Sequence, residues 1–315
     1  MTGARRRATT RPFVRLILAF VAAALVAACR GTTAAAPTPT PDPDAIKVVA
    51  TTTVLADLVS QVGGTRVDVH SLVPRGGEVH TFDPTPADVE AITQARLIVR
   101  NGLGLDDWLT NLVEDAGTGA PLVALGEGLD GVRYLEGQGG PGSVNPHVWM
   151  NVAYASKYVD RIEASLDSVD PADAAGSRER ADAYRERLAQ LDGSIRQRLE
   201  AVPVADRVVV SFHDAFPYFA EAYGLRMVGT VVGAPGQDPS AGALFDLIKA
   251  MRAEHVRVIF AEAQFSDALV QAVASETGAT VVSDLYDDTL GDPPVDTYAG
   301  MMQWNADRVV SALGG

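Results

Sequence analysis

RVVVSFHDAFPYFAEAYG occupies residues 207–224 and joins a strand pattern directly to a helical pattern. The first part, Arg207–Phe212, is a short apolar run with three consecutive valines, which favours a buried strand. The second part, Ala215–Tyr223, has a helical pattern, and Gly224 is a suitable residue to end a helix. A strand that leads at once into a helix is typical of a parallel βαβ unit, so these residues predict an α/β fold.

The same alternation of strands and helices continues on both sides of this unit. It predicts an N-terminal lobe, residues 45–170, and a C-terminal lobe, residues 203–315, each with a parallel sheet. The other strands predicted in the C-terminal lobe are Leu225–Val232, Arg257–Ala261 and Thr280–Ser283, and its other helices are Ala241–Glu254, Asp267–Thr277 and Tyr298–Leu313. The strands predicted in the N-terminal lobe are Ile46–Ala50, Arg66–Leu72, Leu97–Arg100 and Pro121–Leu125, and its helices are Val54–Val62, Asp83–Ala95 and Asp106–Ala116.

A charged segment without strand patterns, residues 171–202, lies between the lobes. Its apolar residues recur at spacings of four, three, four and four, which predicts one helix with a single apolar face. They are Tyr184, Leu188, Leu191, Ile195 and Leu199. An unbroken helix of roughly thirty residues would be about 45 Å long. The segment is therefore either an ordinary packing helix or a stiff connector between the lobes.

The N-terminal residues have the pattern of a secretion signal. Residues 1–28 contain five arginines and then an apolar run, Leu16–Ala28, that is too short for a membrane-spanning helix. The small residues before Cys29, the only cysteine, resemble the lipidation site of bacterial lipoproteins. A plain signal peptide or a single-pass anchor is the alternative. Residues 29–44, rich in Pro and Thr, then form a tether between the lipid and the folded part, and a lone cysteine excludes an internal disulfide.

The charge of the chain restricts its partners. The net charge is -14, and the five arginines of residues 1–28 have no acidic counterparts there, so removing them leaves -19 for the remainder. Nucleic-acid binding requires clustered Lys and Arg, so this acidity argues against nucleic acid as a partner. The acidity suits a protein that works outside the cytoplasm and raises the local concentration of cations.

Three of the five histidines lie in predicted loops beside β/α elements: His80, His147 and His213. Glu262 and Asp288 lie at or just beyond the ends of predicted strands. Ligands of open α/β sheets bind beyond the carboxyl ends of strands, and imidazoles with a carboxylate are suitable ligands for Zn²⁺. The histidines are 67 and 66 residues apart, so spacing alone leaves a shared metal site as one hypothesis among others.

The other two histidines are expected to lie outside such a site. His70 falls within a predicted strand, and His255 follows a predicted helix, where a positive charge interacts favourably with the helix dipole.

Six segments resemble the motifs of one family, the metal-binding receptors of zinc and manganese ABC importers, once described as streptococcal adhesins. The resemblance covers Ile46 to Leu313. Its N-terminal segments are LVPRGGEVHTFDPTPAD (Leu72–Asp88), NGLGLDDWL (Asn101–Leu109) and NPHVWMN (Asn145–Asn151). Its C-terminal segments are SFHDAFPYFAEAYGL (Ser211–Leu225), LYDDTLGD (Leu285–Asp292) and YAGMMQWN (Tyr298–Asn305).

The resemblance implies two lobes joined by a rigid helix, with one metal ion in the cleft between them. It implies four ligands, namely His80, His147, His213 and Asp288. Asp287 adjoins Asp288, so which of the two carboxylates binds stays open.

Two further residues bear on this set of four ligands. Glu262 is expected to accept a hydrogen bond from a ligand histidine rather than to bind the ion, although it could be a ligand. Asn145 stands where the family usually has Asp before Pro146, so a carboxylate that would support His147 is missing.

The resemblance also predicts the ion. Three imidazoles with one carboxylate favour Zn²⁺, because receptors for Mn²⁺ commonly have a carboxylate at the position of His213. The segment Gly126–Val144 argues the other way, since it lacks the His-rich loop of many zinc receptors. Zn²⁺ is therefore the preferred prediction and Mn²⁺ the alternative.

The role implied is that of an extracytoplasmic, lipid-anchored receptor that delivers its ion to an ABC permease and its ATPase. We expect a monomer that catalyses no reaction. The alternatives are a zinc metallohydrolase, in which Glu262 would be the general base, and a surface adhesin.

Overall fold

The computed structural model describes residue 2 and residues 41–138 and 142–314. The predicted signal peptide, Cys29 and most of the tether lie outside these residues and stay predictions. Within the described part of the chain, no helix combines the length and the apolar character needed to cross a bilayer.

The first half of the described chain contains a four-stranded parallel sheet. Its strands are β1 (Ile46–Ala50), β2 (Val67–Ser71), β3 (Leu97–Arg100) and β4 (Leu122–Ala124), in the order β2-β1-β3-β4. The helices between them are α1 (Thr53–Gly63), α2 (Pro86–Gln94) and α3 (Trp108–Ala116). Helix α2 begins later than predicted because Thr85 and Asp88 form a capping box at its N-terminus.

Two long helices follow the first sheet. Helix α4 (Val152–Val169) was not predicted, whereas α5 (Ala174–Glu200) is the long helix expected between the lobes, preceded by a single 3₁₀ turn at Pro171–Asp173. Asn151 caps α4 by accepting hydrogen bonds from the first backbone N–H groups of the helix. The two helices pack against each other, and α5 also contacts α1.

The second half repeats the arrangement of the first. Its strands are β5 (Val208–Ser211), β6 (Arg226–Thr230), β7 (Val258–Glu262) and β8 (Thr280–Leu285), in the order β6-β5-β7-β8, and all of their pairings are parallel. Its helices are α6 (Pro217–Tyr223), α7 (Ala241–Ala253), α8 (Ala268–Thr277) and α9 (Tyr298–Leu313). The predicted α/β fold with two parallel sheets and a long helix between them is confirmed, while the exact domain boundaries stay a prediction.

One apolar core connects the two sheets. It contains β1 and β3 side chains of the first half, the buried face of α5, and side chains of α6 and α9. The predicted stripe lies on that face of α5, where Tyr184, Leu188, Ile195 and Leu199 are buried and Leu191 is half-buried. Two smaller clusters fill the outer sides of the sheets, one in each half. The long helix therefore packs in both halves and is more than a solvent-exposed linker.

Candidate metal centre

Strand ends of the second sheet place three acidic groups and one histidine together. His213 follows β5 by two residues, Glu262 is the last residue of β7, and Asp287 and Asp288 follow β8. Because β5, β7 and β8 are parallel neighbours, their carboxyl ends share one edge of the sheet. This edge faces the first half of the chain.

Two loops of the first half supply the other histidines. His80 lies between β2 and α2, and its backbone N–H donates a 2.7 Å hydrogen bond to the Glu78 carboxylate. His147 immediately precedes a 3₁₀ turn, Val148–Met150, whose three side chains are buried. The buried turn therefore anchors the backbone at His147.

The structure brings His80, His147, His213 and Asp288 together. One ligand atom from each lies within 4.8 Å of the others. The Asp288 carboxylate is the centre of the group: its oxygens are 3.3 Å from His80 Nε2, 3.5 Å from His147 Nε2 and 3.8 Å from His213 Nε2. The three imidazole centroids are 5.3 to 5.7 Å apart.

The atoms that face one another in this cluster fit a small divalent cation. In the described structure, none of the three Nε2 atoms and neither oxygen of Asp288 makes a hydrogen bond of regular geometry, although all are buried. Buried polar atoms normally have partners. A tetrahedral ion with bonds of about 2.0–2.1 Å would hold its ligand atoms about 3.3–3.4 Å apart, which is close to the two shorter distances found here.

The two adjacent aspartates differ in their existing contacts. Asp287 Oδ1 accepts a 2.9 Å hydrogen bond from Gln264 and a 2.7 Å bond from the Asp288 backbone N–H. Its other oxygen lies 3.5 Å from His213 Nε2. Asp288 uses neither oxygen in this way and directs both at the histidines. The geometry therefore favours Asp288 over Asp287 as the carboxylate ligand.

Two of the imidazoles have an oxygen atom beside Nδ1, the ring nitrogen that does not face Asp288. His213 Nδ1 lies 3.1 Å from Glu262 Oε1, and His147 Nδ1 lies 3.0 Å from Asn145 Oδ1. An acceptor next to Nδ1 favours a proton on that nitrogen, so Nε2 is the nitrogen that binds a metal when the imidazole is neutral. Glu262 thus has the position of a supporting group. It also belongs, with His213 and Asp287, to a second set of three potential ligands.

Burial and charge act in opposite directions on the ionisable groups of the site. Burial lowers the pKa of His147 to about 3, so this imidazole is neutral at pH 7. Burial would lower the pKa of His213 as well, but the carboxylates of Glu262 and Asp287 outweigh it and raise this pKa to about 10. Burial and the charge of Asp288 raise the pKa of Asp287. Burial would also raise the pKa of Asp288, but the facing histidines hold it below its usual range.

A cavity of about 220 Å³ opens beside the three imidazoles. Its lining includes the loop Leu103–Leu105 of the first half and Asp214 and Gln237 of the second. Leu103 has a positive φ of 59°, which is unusual for a residue with a side chain. The cavity connects the histidine cluster with the surface and is larger than a bare ion requires.

Sequence reasoning missed some groups of this site and placed others correctly outside it. Glu78 was not predicted, although it lies only two residues before His80, and burial and the charge of Asp288 raise its pKa to about 7. Gln264, which binds Asp287, had no signal that sequence could provide. His70 lies 3.8 Å from Asp88 outside the cluster, and His255 is exposed after α7.

Comparison with known proteins identifies the family. The profile of the ZnuA family, described as the periplasmic component A of a zinc-uptake complex, matches residues 48–312. The chain belongs to this family. The predicted resemblance to metal-binding receptors of the ZnuA type is confirmed, because the matched range extends over both halves of the described chain.

Individual metal-binding proteins are similar to this chain over most of its length. The metal ABC transporter substrate-binding lipoprotein FimA of Streptococcus parasanguinis is 30% identical over 276 residues, which cover 85% of this chain and 89% of FimA. The manganese ABC transporter substrate-binding lipoprotein PsaA of Streptococcus anginosus is 29% identical with the same coverage. The solved structure of the periplasmic zinc-binding protein TroA of Treponema pallidum superimposes with a TM-score of 0.78 at 28% identity and covers 85% of this chain and 99% of TroA.

Proposed function

We propose that this protein is the extracytoplasmic receptor of a metal ABC importer, which captures one divalent transition-metal ion and delivers it to a permease powered by an ATPase. The observation that carries the proposal is the convergence of three imidazole Nε2 atoms on the carboxylate of Asp288, with these buried atoms free of regular hydrogen bonds. The named relatives bind metals as substrate-binding proteins of ABC transporters, which supports the same role here.

Zn²⁺ is the proposed ion. Three nitrogen ligands and one oxygen ligand suit Zn²⁺, whereas Mn²⁺ prefers a larger share of oxygen ligands. Mn²⁺ is the second candidate, and a specific observation supports it. Two further carboxylates, Glu262 and Asp287, form a set of potential ligands with His213, so oxygen ligands are available at the same centre.

Lipid attachment at Cys29 is proposed as the link to the membrane, with the protein a monomer. Two of the relatives are named lipoproteins, which supports the attachment. Delivery of the ion would involve small movements of the ligand loops when the receptor contacts its permease. No nucleic acid takes part, because the net charge is -14.

The proposed function involves no catalysis. Four protein ligands complete a tetrahedral coordination sphere and leave no position for a reactive water. A hydrolase would require an open coordination position and a general base. Glu262 is directed at His213 Nδ1, 3.1 Å away, which suits the support of a ligand better than the activation of water.

The test is elemental analysis of the purified protein together with calorimetric titration of the metal-free protein with Zn²⁺ and Mn²⁺. We expect one Zn²⁺ per chain and tighter binding of Zn²⁺ than of Mn²⁺. His213→Glu should shift the Zn²⁺/Mn²⁺ affinity ratio towards Mn²⁺ by at least about tenfold, because it replaces a nitrogen ligand with oxygen.

His70→Glu is the matched control, since it makes the same change at an exposed histidine outside the cluster. It should leave both affinities unchanged. Binding of neither metal at micromolar concentration would remove the proposal. Unaltered selectivity in a folded His213→Glu variant would remove the argument for zinc, and metal-dependent hydrolysis that requires Glu262 would favour an enzyme.

A further inference from the structure

Asn145 is buried, and each of its backbone and side-chain polar groups has a hydrogen-bond partner. It is 1% exposed. Its backbone N–H donates to Leu135 O, and its carbonyl accepts a 3.0 Å hydrogen bond from the Tyr218 hydroxyl. Its side-chain oxygen lies 3.0 Å from both the backbone nitrogen and the ring Nδ1 of His147. Its side-chain nitrogen donates to Asp214, at 2.7 Å to the backbone carbonyl and 3.0 Å to the carboxylate.

This network fixes the two ends of the carboxamide. The oxygen faces two N–H groups of His147, and the nitrogen faces two oxygens of Asp214. An amide can accept on one side and donate on the other, whereas an ionised carboxylate has no hydrogen to donate. An aspartate at this position would therefore place an oxygen against the Asp214 carboxylate.

The network also joins the two halves of the chain. Asn145 and His147 precede α4, whereas Asp214 and Tyr218 belong to the segment that follows β5. Asp214 is the direct neighbour of His213. His147, in the first half, is therefore linked through the Asn145 side chain to Asp214, which is the neighbour of His213 in the second half.

We propose that Asn145 is a positioning residue that couples His147 to the second half of the chain through Asp214, and that in this chain the amide N–H donor of Asn145 makes the coupling. This inference rests on the proposed metal-binding function. In this chain the carboxylate on the Nδ1 side of His147 does not contact this histidine directly. It belongs to Asp214, and the Asn145 amide lies between the two. Asn145 thereby sets both the tautomer of His147 and the distance between the two loops that carry His147 and His213.

Exchanging the two side chains tests the proposal. Asn145→Asp keeps the acceptor for His147 but removes the donor to Asp214. It should lower the thermal midpoint of the metal-free protein and weaken Zn²⁺ binding by about 10- to 100-fold. Adding Asp214→Asn supplies a new donor from the other side, so the double variant should recover most of the stability and bind Zn²⁺ at least tenfold more tightly than Asn145→Asp alone.

Nuclear magnetic resonance of the metal-free proteins gives a readout that does not depend on metal. In the double variant a charged acceptor faces His147, so the Nδ1 proton should resonate downfield of its position in the wild type. Asn151→Asp is the matched control, because it adds the same charge at the N-cap of α4, where Asp and Asn are equally suitable. It should leave Zn²⁺ affinity and the His147 resonance unchanged.

Two outcomes would overturn the inference: an Asn145→Asp variant as stable and as tight-binding as the wild type, or a double variant no better than Asn145→Asp. Should Asn145→Asp fail to fold, the double variant and Asp214→Asn alone still decide, since both retain a donor between the loops. A wild type that binds no metal would contradict the proposed function instead, while the stability and resonance measurements would still test the coupling.

Discussion

The oxygens of two consecutive aspartates at the candidate metal centre have different partners. Asp287 holds Gln264 and the Asp288 backbone through one oxygen, whereas Asp288 directs both oxygens at the imidazoles. A side chain already used in hydrogen bonds contributes to the architecture of a site. A buried carboxylate without such bonds is costly to bury, so a bound cation lowers its free energy most.

Replacing each aspartate by asparagine separates the two roles. Asp288→Asn should weaken Zn²⁺ binding by at least about 100-fold, because it removes the only charged ligand of the proposed set. Asp287→Asn should weaken it by less than about tenfold, since the amide oxygen can still accept from Gln264. Competition with a chelator of known affinity measures both. Equal losses in the two variants would contradict the assignment of Asp288 as the ligand.

Because the pKa of His213 is raised, we expect the proposed metal binding to depend on pH. With a pKa of about 10, this residue is protonated at pH 7 in the metal-free protein, whereas metal coordination needs the neutral imidazole. The pKa of His147 is about 3, so it has no proton to release. Binding therefore displaces about one proton from these two histidines, and Zn²⁺ affinity should rise about tenfold per pH unit between pH 7 and 9.

Calorimetry in two buffers of different ionisation enthalpy counts the released protons. We expect at least about one at pH 7.5, since Glu78, with a pKa of about 7, can release a further fraction, and a smaller number for His213→Ala. The same shift has a second consequence with a defined sign. Because the folded pKa is raised, the protonated His213 stabilises the metal-free protein at low pH, and this contribution is lost as pH rises from about 6.5 towards 10. An affinity independent of pH would contradict the charged state of His213.

Helix α5 contains two glycines in different surroundings. A β-carbon at Gly193 would meet nothing within 4 Å, whereas one at Gly176 would lie 2.6 Å from Asp173 Oδ1. Glycine lowers helix stability because it has more conformational freedom to lose on folding. The cost of Gly193 is therefore not offset by any close approach of neighbouring atoms.

Gly193→Ala should raise the free energy of unfolding by about 0.5–1 kcal/mol, through helix propensity alone. Chemical denaturation of the metal-free protein measures the change. Gly176→Ala is the control in the same helix, and it should give no gain because Asp173 and its partner Arg180 would have to move. A loss of stability in Gly193→Ala would show that the helix is packed differently along this face.

Much of the element structure could be predicted, because apolar runs and spacings are local signals. The strands β1, β3 and β7 and the long helix α5 lie close to their predicted positions. Helix α4 was missed even though its apolar residues recur at helical spacing: Val152, Ala155, Val159, Ile162 and Leu166. The boundary of α6 was wrong by two residues because Phe216 and Pro217 form its N-terminus after the loop that carries His213.

The proximity of the four proposed ligands was beyond local reasoning. Strand order and the packing of the halves determine which loops meet, and neither has a signal in a single stretch of residues. His80 lies 3.3 Å from Asp288, a residue more than two hundred positions away in the sequence. Motif resemblance was therefore needed to select these residues, and the fold explains why they meet.

The core that continues from one sheet to the other should link metal binding at the candidate site to global stability. Metal that binds only the folded protein stabilises it by about 2.7 kcal/mol when its free concentration is 100 times the dissociation constant. For a folded part of this size, the thermal midpoint should rise by about 5 °C with Zn²⁺ and fall back on addition of a chelator. Differential scanning calorimetry measures the shift.

Two variants distinguish site binding from non-specific metal effects. Asp288→Asn should lose most of the thermal shift at the same Zn²⁺ concentration. His255→Ala, which changes an exposed histidine outside the cluster, should retain it. A shift of equal size in Asp288→Asn would mean that Zn²⁺ stabilises the protein elsewhere.

The cavity beside the imidazoles bears on how fast an ion can be exchanged. Its volume of about 220 Å³ is enough for several waters. A divalent ion in solution carries roughly six. An arriving ion can therefore keep its hydration shell until it reaches the histidines and then exchange one water at a time for a protein ligand. Dehydration is divided into small steps, and departure can follow the same sequence in reverse.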